Sequence, residues 1–482
     1  MSERLISQKA VSDHVGVDYF EHRQLRKGAA GWVLLAGLGI AYVISGDFAG
    51  WNFGLAQAGW GGMLVATVLV ATMYTAMVFS LAELSSTIPA AGGGYAFARR
   101  AFGPFVGFLT GTAILLEYAI APAAVAVFIG AYCDSLFGVG GWPVSLAFYS
   151  LFVGIHLFGV GEALRLMLII TAIAAGALLV FALAMLPKFS ASHLFDIPTT
   201  DAIGASRFLP FGYLGIWGAI PYAMWFFLAI EGVPLAAEET RDPKRDLPRG
   251  MIAGMFVLLA FATLILILGP GGAGSAVIMK SGDPLVVALN HAYGGSTWVS
   301  RFISVVGMAG LIASFFSVIF AYSRQVFALS RAGYLPRCLS LTGRRKTPYL
   351  ALIIPGLFGF LLSLTGKGDL LILMSVFGAT VSYVLVMASH IALRIREPQL
   401  ERPYRTPGGV VTSGIALVLA LAAMVAGFLV DTTVVLYAMA FYAAMIAYFL
   451  LYSRHHLIAQ APEEEFAAIR QAEAELAGGE SP

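Results

Sequence analysis

Charge is scarce in this chain. Only 12% of its 482 residues are Asp, Glu, Lys or Arg, about half the fraction typical of soluble globular proteins. Cysteine is scarcer still, and its two copies, Cys133 and Cys338, are too few and too far apart for a disulfide framework or a cysteine metal site. The polar N-terminal segment lacks an apolar core with a small-residue cleavage site, so we expect no removable signal peptide. Little sequence is left for a separate soluble domain, and we expect no enzymatic activity.

Long apolar runs make up most of the chain instead. Hydrophobic residues account for 59% of the sequence, and runs of about 20 residues, each long enough to cross roughly 30 Å of hydrocarbon as a helix, recur throughout. They predict an all-α membrane protein with about twelve transmembrane helices. The predicted spans are 30–55, 60–87, 105–133, 142–159, 164–187, 211–237, 250–270, 302–328, 349–366, 369–393, 410–430 and 432–453.

Basic residues are divided unequally between the two sides of these spans. One side carries 24 of the 29 Lys and Arg residues, and the other carries Lys188, Arg207, Lys280, Arg301 and Lys367. Because cytoplasmic loops carry the excess of Lys and Arg, both termini are predicted to be cytoplasmic. The basic residues follow the membrane side and form no patch, so we expect no nucleic-acid binding.

Three carboxylates lie at hydrocarbon depth by this assignment. They are Asp47 in the first span, Glu117 in the third and Glu231 in the sixth. A charged side chain there costs about 2.5–3.5 kcal/mol on insertion scales, and the assignment places no Lys or Arg at comparable depth. Such carboxylates hold protons or bind a cation, and either role is functional.

Two of these carboxylates accompany residues that interrupt a helix. Asp47 lies in ISGDFAGW and Glu231 in FFLAIEGVPLAAEE, where glycines and a proline free backbone groups that membrane helices tolerate only at a cavity or within protein. Interruption of the first and sixth spans is typical of transporters built from two inverted repeats. We predict five-helix repeats at 30–190 and 211–395, two further helices within 410–453, and cytoplasmic tails at 1–29 and 454–482.

Three segments resemble motifs of the amino acid–polyamine–organocation transporters. PAAGGGYAFARRAFGPFVGFLTG (89–111) resembles the P-x-x-G-G-x-Y signature that opens the third helix. AAEETRDPKRDLPRG (236–250) resembles the A-E-E-x-x-N-P-x-R-x-x-P segment, and SRQVFALSRAGYLPRCLSLTGRRKTPYLAL (323–352) resembles S-R-x-x-x-A-x-x-R-D-G-x-L-P with its later T-P. The resemblance implies a secondary transporter with a 5+5 inverted-repeat (LeuT-like) core that works by alternating access, helices 1, 2, 6 and 7 rocking against 3, 4, 8 and 9.

The first break departs from the family pattern in a way that changes the expected substrate. In the family's amino-acid carriers it reads G-x-G-S-G-x-F or similar, and its free N–H groups hold the substrate carboxylate. This chain keeps Ser45, Gly46 and Phe48 but has Asp47 at the aliphatic position. A carboxylate beside this anion site would repel a substrate carboxylate, so we expect an organic cation that lacks one.

The sixth break supplies the remaining predicted contacts. Asp47 or Glu231 would provide the counter-charge, aromatic rings would add cation–π attraction, and Ala229 stands where the family usually has Gly. The segment FEHRQLRKGAAGWVLLAGLGIAYVISGDFAGWNFGL resembles bacterial ethanolamine permeases, which implies the bacterial inner membrane and a small amine such as ethanolamine or choline. The predicted substrate-binding residues are Ser45, Gly46, Asp47, Glu117, Tyr118, Trp225, Phe226, Phe227, Ala229 and Glu231.

Several roles stay open at the level of sequence. Asp47 and Glu231 could instead bond backbone freed by the breaks, and Glu117 could be a proton site, a substrate contact or an interhelical bond. Glu83, Glu238 and Glu239 are assigned to gating or packing at the cytoplasmic side, and Ser314 and Ser317 are candidate sodium ligands. The coupling ion could be H⁺ or Na⁺, with exchange and uniport also open; no cofactor or metal is expected. An amino acid or polyamine permease and a non-transporting amine sensor are the alternative functions.

Overall fold

The structure is a computed structural model that describes residues 23, 28, 30–90, 92–158, 160–295, 298–343 and 345–458. Regular structure within these residues is helical, apart from two isolated bridge pairs that join Ala30 to Thr240 and Thr342 to Pro348. The predicted tails, 1–29 and 454–482, lie almost entirely outside the described residues.

The structure contains eighteen α-helices in the described part of the chain. In chain order they are α1 Trp32–Val43, α2 Ser45–Phe48, α3 Phe53–Thr87, α4 Gly94–Phe102, α5 Pro104–Phe137, α6 Trp142–Phe158, α7 Val160–Met185, α8 Ala191–Leu194, α9 Gly212–Met224, α10 Pro243–Ala273, α11 Ser275–Ile278, α12 Pro284–Ala292, α13 Trp298–Arg331, α14 Tyr349–Ser363, α15 Gly368–Arg396, α16 Val410–Val430, α17 Thr432–Tyr448 and α18 Arg454–His456. Short 3₁₀ segments occupy Leu186–Lys188, Ile230–Glu239 and Arg337–Ser340, and a π-helical turn occupies Phe449–Ser453.

The apolar helices coincide with the predicted spans. In the described part of the chain, eight helical stretches are long and apolar enough to cross a membrane, and three shorter ones, Trp32–Phe48, Trp142–Phe158 and Tyr349–Ser363, are also apolar. The sixth predicted span contains α9 and the 3₁₀ segment Ile230–Glu239. A multi-pass membrane protein is confirmed by these helices, whereas the count of twelve crossings stays a prediction.

The first span is interrupted within the segment ISGDFAGW, where the sequence predicts a break. A kink at Ile44 separates α1 from the single turn α2, and the helical path then stops at Ala49, whose backbone is extended (φ −161°, ψ 157°). Gly50 follows with φ +99°, a conformation that glycine adopts without a Cβ penalty. Helix resumes at Phe53, and a non-helical Gly59 (φ 67°, ψ 178°) divides α3 into 53–58 and 60–87, so the second span begins where the sequence places it.

The sixth span is interrupted between Met224 and Ile230. Pro221 lies in the last turn of α9, and the chain then passes through tight turns in which the Phe226 and Phe227 N–H groups donate to Ala223 O and Met224 O. Ala229 adopts φ +80°, a left-handed conformation that costs a non-glycine residue about 1–2 kcal/mol. Glycine adopts a positive φ without this cost, which explains why the family usually has Gly at this position.

Packing places the interrupted spans in the interior. Their break residues are buried, and the most extensive helix contacts join α3 to α9 and α5 to α15, with α13 also packed on α5. The helices nearest the breaks therefore come from both predicted halves of the chain. The inverted-repeat relation between 30–190 and 211–395 stays a prediction.

Candidate functional site

The two helix breaks touch each other through Gly46. A Cβ built on Gly46 would overlap the Trp225 carbonyl oxygen and lie 3.2 Å from Phe226 Cα. The indole N–H of Trp225 donates to Ala49 O across the same contact, at 3.0 Å. Gly46 is therefore the residue that lets the two interrupted backbones meet in the protein interior.

Aromatic rings cover this contact. Phe226 stacks on Trp51 (centroids 5.4 Å apart, planes 22° apart), while Phe227 lies against Tyr74 with centroids 5.5 Å apart. The three predicted cation–π residues thus face different neighbours, because Trp225 is bonded to the first break. Phe227 packs on Tyr74, whose hydroxyl lies 3.0 Å from that of Tyr383, and Tyr383 donates to Glu231.

Glu231 is bound by tyrosine hydroxyls from two other spans. Tyr118 of α5 donates to Oε1 at 3.1 Å and Tyr383 of α15 donates to Oε2 at 3.0 Å. Tyr74 of α3 lies 3.0 Å from the Tyr383 hydroxyl, and since the single Tyr383 proton goes to Glu231, Tyr74 is the donor. We call these three tyrosines with Glu117 and Glu231 the tyrosine–glutamate cluster.

Glu117 is the second carboxyl group of that cluster. Its side chain is fully buried, neither Oε atom has a geometric hydrogen-bond partner in the described part of the chain, and it interacts electrostatically with Glu231. The Ser375 hydroxyl donates to the Glu117 backbone carbonyl at 3.1 Å, which fixes α5 against α15 here. Two neighbouring buried carboxyl groups cannot both ionise without a cation between them.

Asp47 does not join the cluster. It is fully buried on α2, and both of its Oδ atoms lack a hydrogen-bond partner among the described residues. No charged group interacts electrostatically with it there. The structure therefore separates two carboxylates that the sequence treats as interchangeable.

The predicted sodium-ligand serines are bonded to one another and to the first span. Ser45 Oγ donates to Ser314 Oγ at 2.8 Å, and Ser314 Oγ donates to Tyr42 O at 2.8 Å. Ser317 Oγ donates to Ser314 O, one turn earlier, at 3.0 Å. These hydroxyl groups join α13 to the kink between α1 and α2.

The carboxylates assigned to gating or packing form ion pairs. Glu239 and Arg324 make a fully buried pair at 2.7 Å, and Glu238 accepts from Arg331 at 3.0 Å. Both pairs tie the end of the sixth span to α13. Glu83 is held by the side chains of His390, Arg394 and Arg402, and by the Thr406 N–H at 2.7 Å.

A polar connection links the first break to the loop after α11. The Asn52 amide donates to Ile278 O at 2.7 Å and to Ser281 O at 2.9 Å, and its Oδ1 accepts from Gly50 N–H. Asp283 in this loop accepts from the hydroxyls of Ser135 and Ser281. Burial raises the pKa of Asp283 above its usual value of 3.8, and those hydroxyls oppose the rise.

Three tyrosines near the site are not among the residues predicted from the sequence. Tyr74 and Tyr383 belong to the cluster, and the Tyr42 ring borders the Tyr118 hydroxyl across Gly232, its own hydroxyl being buried without a partner in the described residues. Their signal in the sequence is a phenol inside an apolar span, which needs a partner once buried. The described residues hold no group of three or more His, Cys, Asp and Glu side chains suited to a metal ion.

Comparison with known proteins points to one family. The family profile described as amino acid permease matches residues 31–451. An uncharacterized transporter of Rhizobium meliloti (strain 1021) is 29% identical, covering 86% of this chain and 89% of the relative. A branched-chain amino acid permease of Bacillus subtilis (strain 168) is 27% identical, covering 95% and 99%. A methylthioribose transporter of the same organism is 26% identical, covering 75% and 81%.

Proposed function

The chain belongs to the amino acid permease family, and from this premise we propose that it imports ethanolamine or a similar small amine by alternating access. The observation that carries the proposal is the tyrosine–glutamate cluster, in which Glu117 and Glu231 adjoin each other in the protein interior without an ion pair to Lys or Arg. The ammonium group of the substrate would sit at Glu231, and Phe227 would border it.

Charge balance supports an ammonium ion at this place. Leaving a buried carboxylate uncompensated costs several kcal/mol, and a small ammonium ion placed between Glu117 and Glu231 removes that cost. Its three N–H donors match an arrangement rich in acceptors. The Tyr118 and Tyr383 hydroxyls, 3.1 and 3.0 Å from the Glu231 oxygens, hold the carboxylate in one orientation while it accepts from the substrate.

The first break supports a substrate without a carboxylate. The anion-binding position of the family would lie at Ser45 and Gly46, beside a buried Asp47 that no cation compensates in the described residues. Whenever Asp47 is ionised, the carboxylate of an amino acid would bring a second negative charge to that position. Ethanolamine brings a hydroxyl group, which a break carbonyl or Ser45 can bond. Choline lacks N–H donors, so we expect it to bind more weakly than ethanolamine.

An amino acid permease or exchanger is the second candidate. It is favoured by the relative from Bacillus subtilis named as a branched-chain amino acid permease, which aligns with 95% of this chain. Competition for uptake separates the two candidates. Excess alanine, leucine or arginine would block the uptake of labelled ethanolamine if the protein is an amino acid permease that also carries ethanolamine. The same amino acids would leave ethanolamine uptake by an amine transporter almost unchanged.

Placement and coupling complete the proposal. The asymmetry of Lys and Arg favours an orientation with both termini in the cytoplasm, and the resemblance to bacterial ethanolamine permeases implies the bacterial inner membrane. The ion pairs that Glu238 and Glu239 make with α13 would then close the cytoplasmic side and open as the first and sixth spans move. We favour protons over sodium as the coupling ion because Asp47, Glu117 and Glu231 are buried carboxyl groups that can accept protons directly.

Uptake of labelled ethanolamine into liposomes containing the purified protein tests this function. We expect saturable uptake that is competed strongly by ethanolamine and weakly by choline and amino acids. Glu231→Gln should reduce ethanolamine binding at least tenfold, because loss of a charged partner for a buried ammonium costs about 1.5–3 kcal/mol or more. Glu401→Gln is the matched control, since the Glu401 side chain is 83% exposed and makes only a 3.5 Å surface pair with Lys244.

The outcomes are distinct. Wild-type affinity and transport in Glu231→Gln would refute the assignment of the ammonium to the cluster. Binding of ethanolamine without transport in either direction would identify a membrane amine sensor instead of a carrier.

A further inference from the structure

Asp47 is a buried carboxyl group that lies outside the tyrosine–glutamate cluster. It lies on α2, between the kink at Ile44 and the extended Ala49. None of its surface is exposed, and neither Oδ atom has a hydrogen-bond partner within the described residues. The side chain is therefore a polar group placed at the helix break without visible compensation.

The polar side chains that the neighbouring elements direct toward α2 form hydrogen bonds with atoms other than the Asp47 carboxyl oxygens. From α5, Tyr132 donates to Phe48 O at 2.9 Å, and from α13, Ser314 bonds Ser45 and Tyr42. On the sixth span, Trp225 is bonded to Ala49 O.

Titratable side chains also lie on the elements packed against α2, and none of those described interacts electrostatically with Asp47. On α1 the titratable side chain is Tyr42, which interacts with the charges of Glu239, Arg324 and Glu231. On α5, Tyr132 donates to Phe48 O, and the sixth span carries Tyr222 and Glu231 near its break. Those of α10 lie in its first two turns and those of α13 toward its ends; they are Lys244, Arg245, Asp246 and Arg249 on α10, and Arg301, Tyr322, Arg324 and Arg331 on α13. In the described chain none of them interacts electrostatically with Asp47.

Such a carboxyl group is stable in the interior only when it is neutral. An isolated ionised carboxylate in a medium of low polarity is so costly that it takes up a proton instead. Glu231 differs, because two tyrosine hydroxyls donate to it and Glu117 adjoins it. The two break carboxylates therefore suit different cations, an ammonium ion at Glu231 and a proton at Asp47.

We propose that Asp47 is a proton-binding residue distinct from the tyrosine–glutamate cluster, and that the amine-loaded carrier closes around its substrate only when Asp47 is protonated. The proton comes from water on the open side and returns to water on whichever side opens next. This inference rests on the proposed function, since it assumes that Glu231 carries the ammonium.

Exchange of labelled for unlabelled ethanolamine across liposomes at equal internal and external pH isolates this step, because only the loaded carrier moves. Ethanolamine stays an ammonium ion between about pH 5.5 and about pH 8.5. Titration of Glu117 and Glu231 would strengthen amine binding as pH rises, whereas a protonation requirement at Asp47 slows exchange as pH rises. The two effects have opposite signs, and saturating ethanolamine removes the first.

For the wild type we expect the saturated exchange rate to fall about tenfold per pH unit above the midpoint of the Asp47 titration. Asp47→Asn should exchange at the wild-type low-pH rate at every pH, with ethanolamine affinity within about threefold of wild type. Asp47→Glu should restore the pH dependence. Ethanolamine-dependent thermal stabilisation of each detergent-solubilised variant reports folding and binding independently of transport.

Three results would overturn the inference. One is a saturated exchange rate that does not depend on pH in the wild type. Another is an Asp47→Asn variant that keeps the wild-type pH profile. The third is an Asp47→Asn variant that folds but loses ethanolamine binding as Glu231→Gln does, which would make Asp47 the ammonium ligand. Absence of any ethanolamine exchange by the folded wild type would overturn the proposed function and this inference with it.

Discussion

Gly46→Ala is the perturbation that addresses most directly the contact between the two helix breaks. The added Cβ would lie 3.0 Å from the Trp225 carbonyl carbon and 3.2 Å from Phe226 Cα, and it would overlap the Trp225 carbonyl oxygen. Ordinary contacts of a Cβ begin at 3.4 Å. The three obstacles are backbone atoms, so no flexible side chain can turn aside to relieve the overlap.

Overpacking of this kind costs about 1–3 kcal/mol. If the first and sixth spans separate to relieve it, the conformation in which the breaks touch becomes roughly 5- to 150-fold less populated. We expect a lower melting temperature in detergent and at least a fivefold weaker apparent affinity for ethanolamine, measured by thermal shift and by uptake.

Gly176→Ala is the matched control, because no atom lies within 4 Å of a Cβ built at that position in α7. It should be neutral or stabilising by about 0.5–1 kcal/mol, the gain of replacing glycine by alanine in a helix. A Gly46→Ala variant with wild-type melting temperature and affinity would refute the close packing of the two breaks.

Three further predictions concern strain, pH and the cytoplasmic ion pairs. Ala229→Gly should raise stability by up to about 1 kcal/mol in thermal unfolding, since φ +80° is strained for Ala; a loss typical of Ala→Gly in a helix would contradict this conformation. Because burial raises the pKa of Asp283, its contribution to stability is present below pH 3.8 and is lost as pH rises through the higher native pKa. Asp283→Asn should remove that component from melting curves recorded across pH, and an unchanged pH profile would contradict the burial. Arg324→Ala should cost about 3–5 kcal/mol by leaving Glu239 buried and unpaired; pairing it with Glu239→Ala should recover part of the loss, and strict additivity would show that the pair is not coupled.

Hydropathy and helix-breaking residues predict the apolar helices and their interruptions from the sequence. The run that ends near Thr87 begins at Trp60 after the non-helical Gly59, as predicted, because apolar length and glycine are local properties of the chain. The first break is predicted within ISGDFAGW, and the structure shows that Ser45 to Phe48 of this segment form a helical turn and that the extended backbone begins at Ala49. Glycines flank both segments, and only packing against Trp225 decides which of them leaves the helix.

The buried carboxylates show the same division. Their rarity in apolar spans marks Asp47, Glu117 and Glu231 from sequence alone, because a charged side chain at hydrocarbon depth is costly wherever it lies along the chain. Their partners do not follow from sequence. Tyr118 is 113 residues from Glu231 and Tyr383 is 152 residues from it. A hydrogen bond between such distant residues forms only if packing rotates each helix so that donor and acceptor atoms come within about 3 Å of each other.

The sequence by itself therefore determined that this is a helical membrane protein of the permease type, with two broken spans and three carboxylates that need cations. Burial of apolar surface is non-directional and local composition suffices to reveal it. Only the tertiary structure decided that Glu231 contacts Tyr118, Tyr383 and Glu117, whereas Asp47 has no hydrogen-bond partner among the described residues. Directional contacts between distant segments depend on how the helices turn against one another, and that orientation underlies our proposal of an ammonium site at Glu231 and a proton site at Asp47.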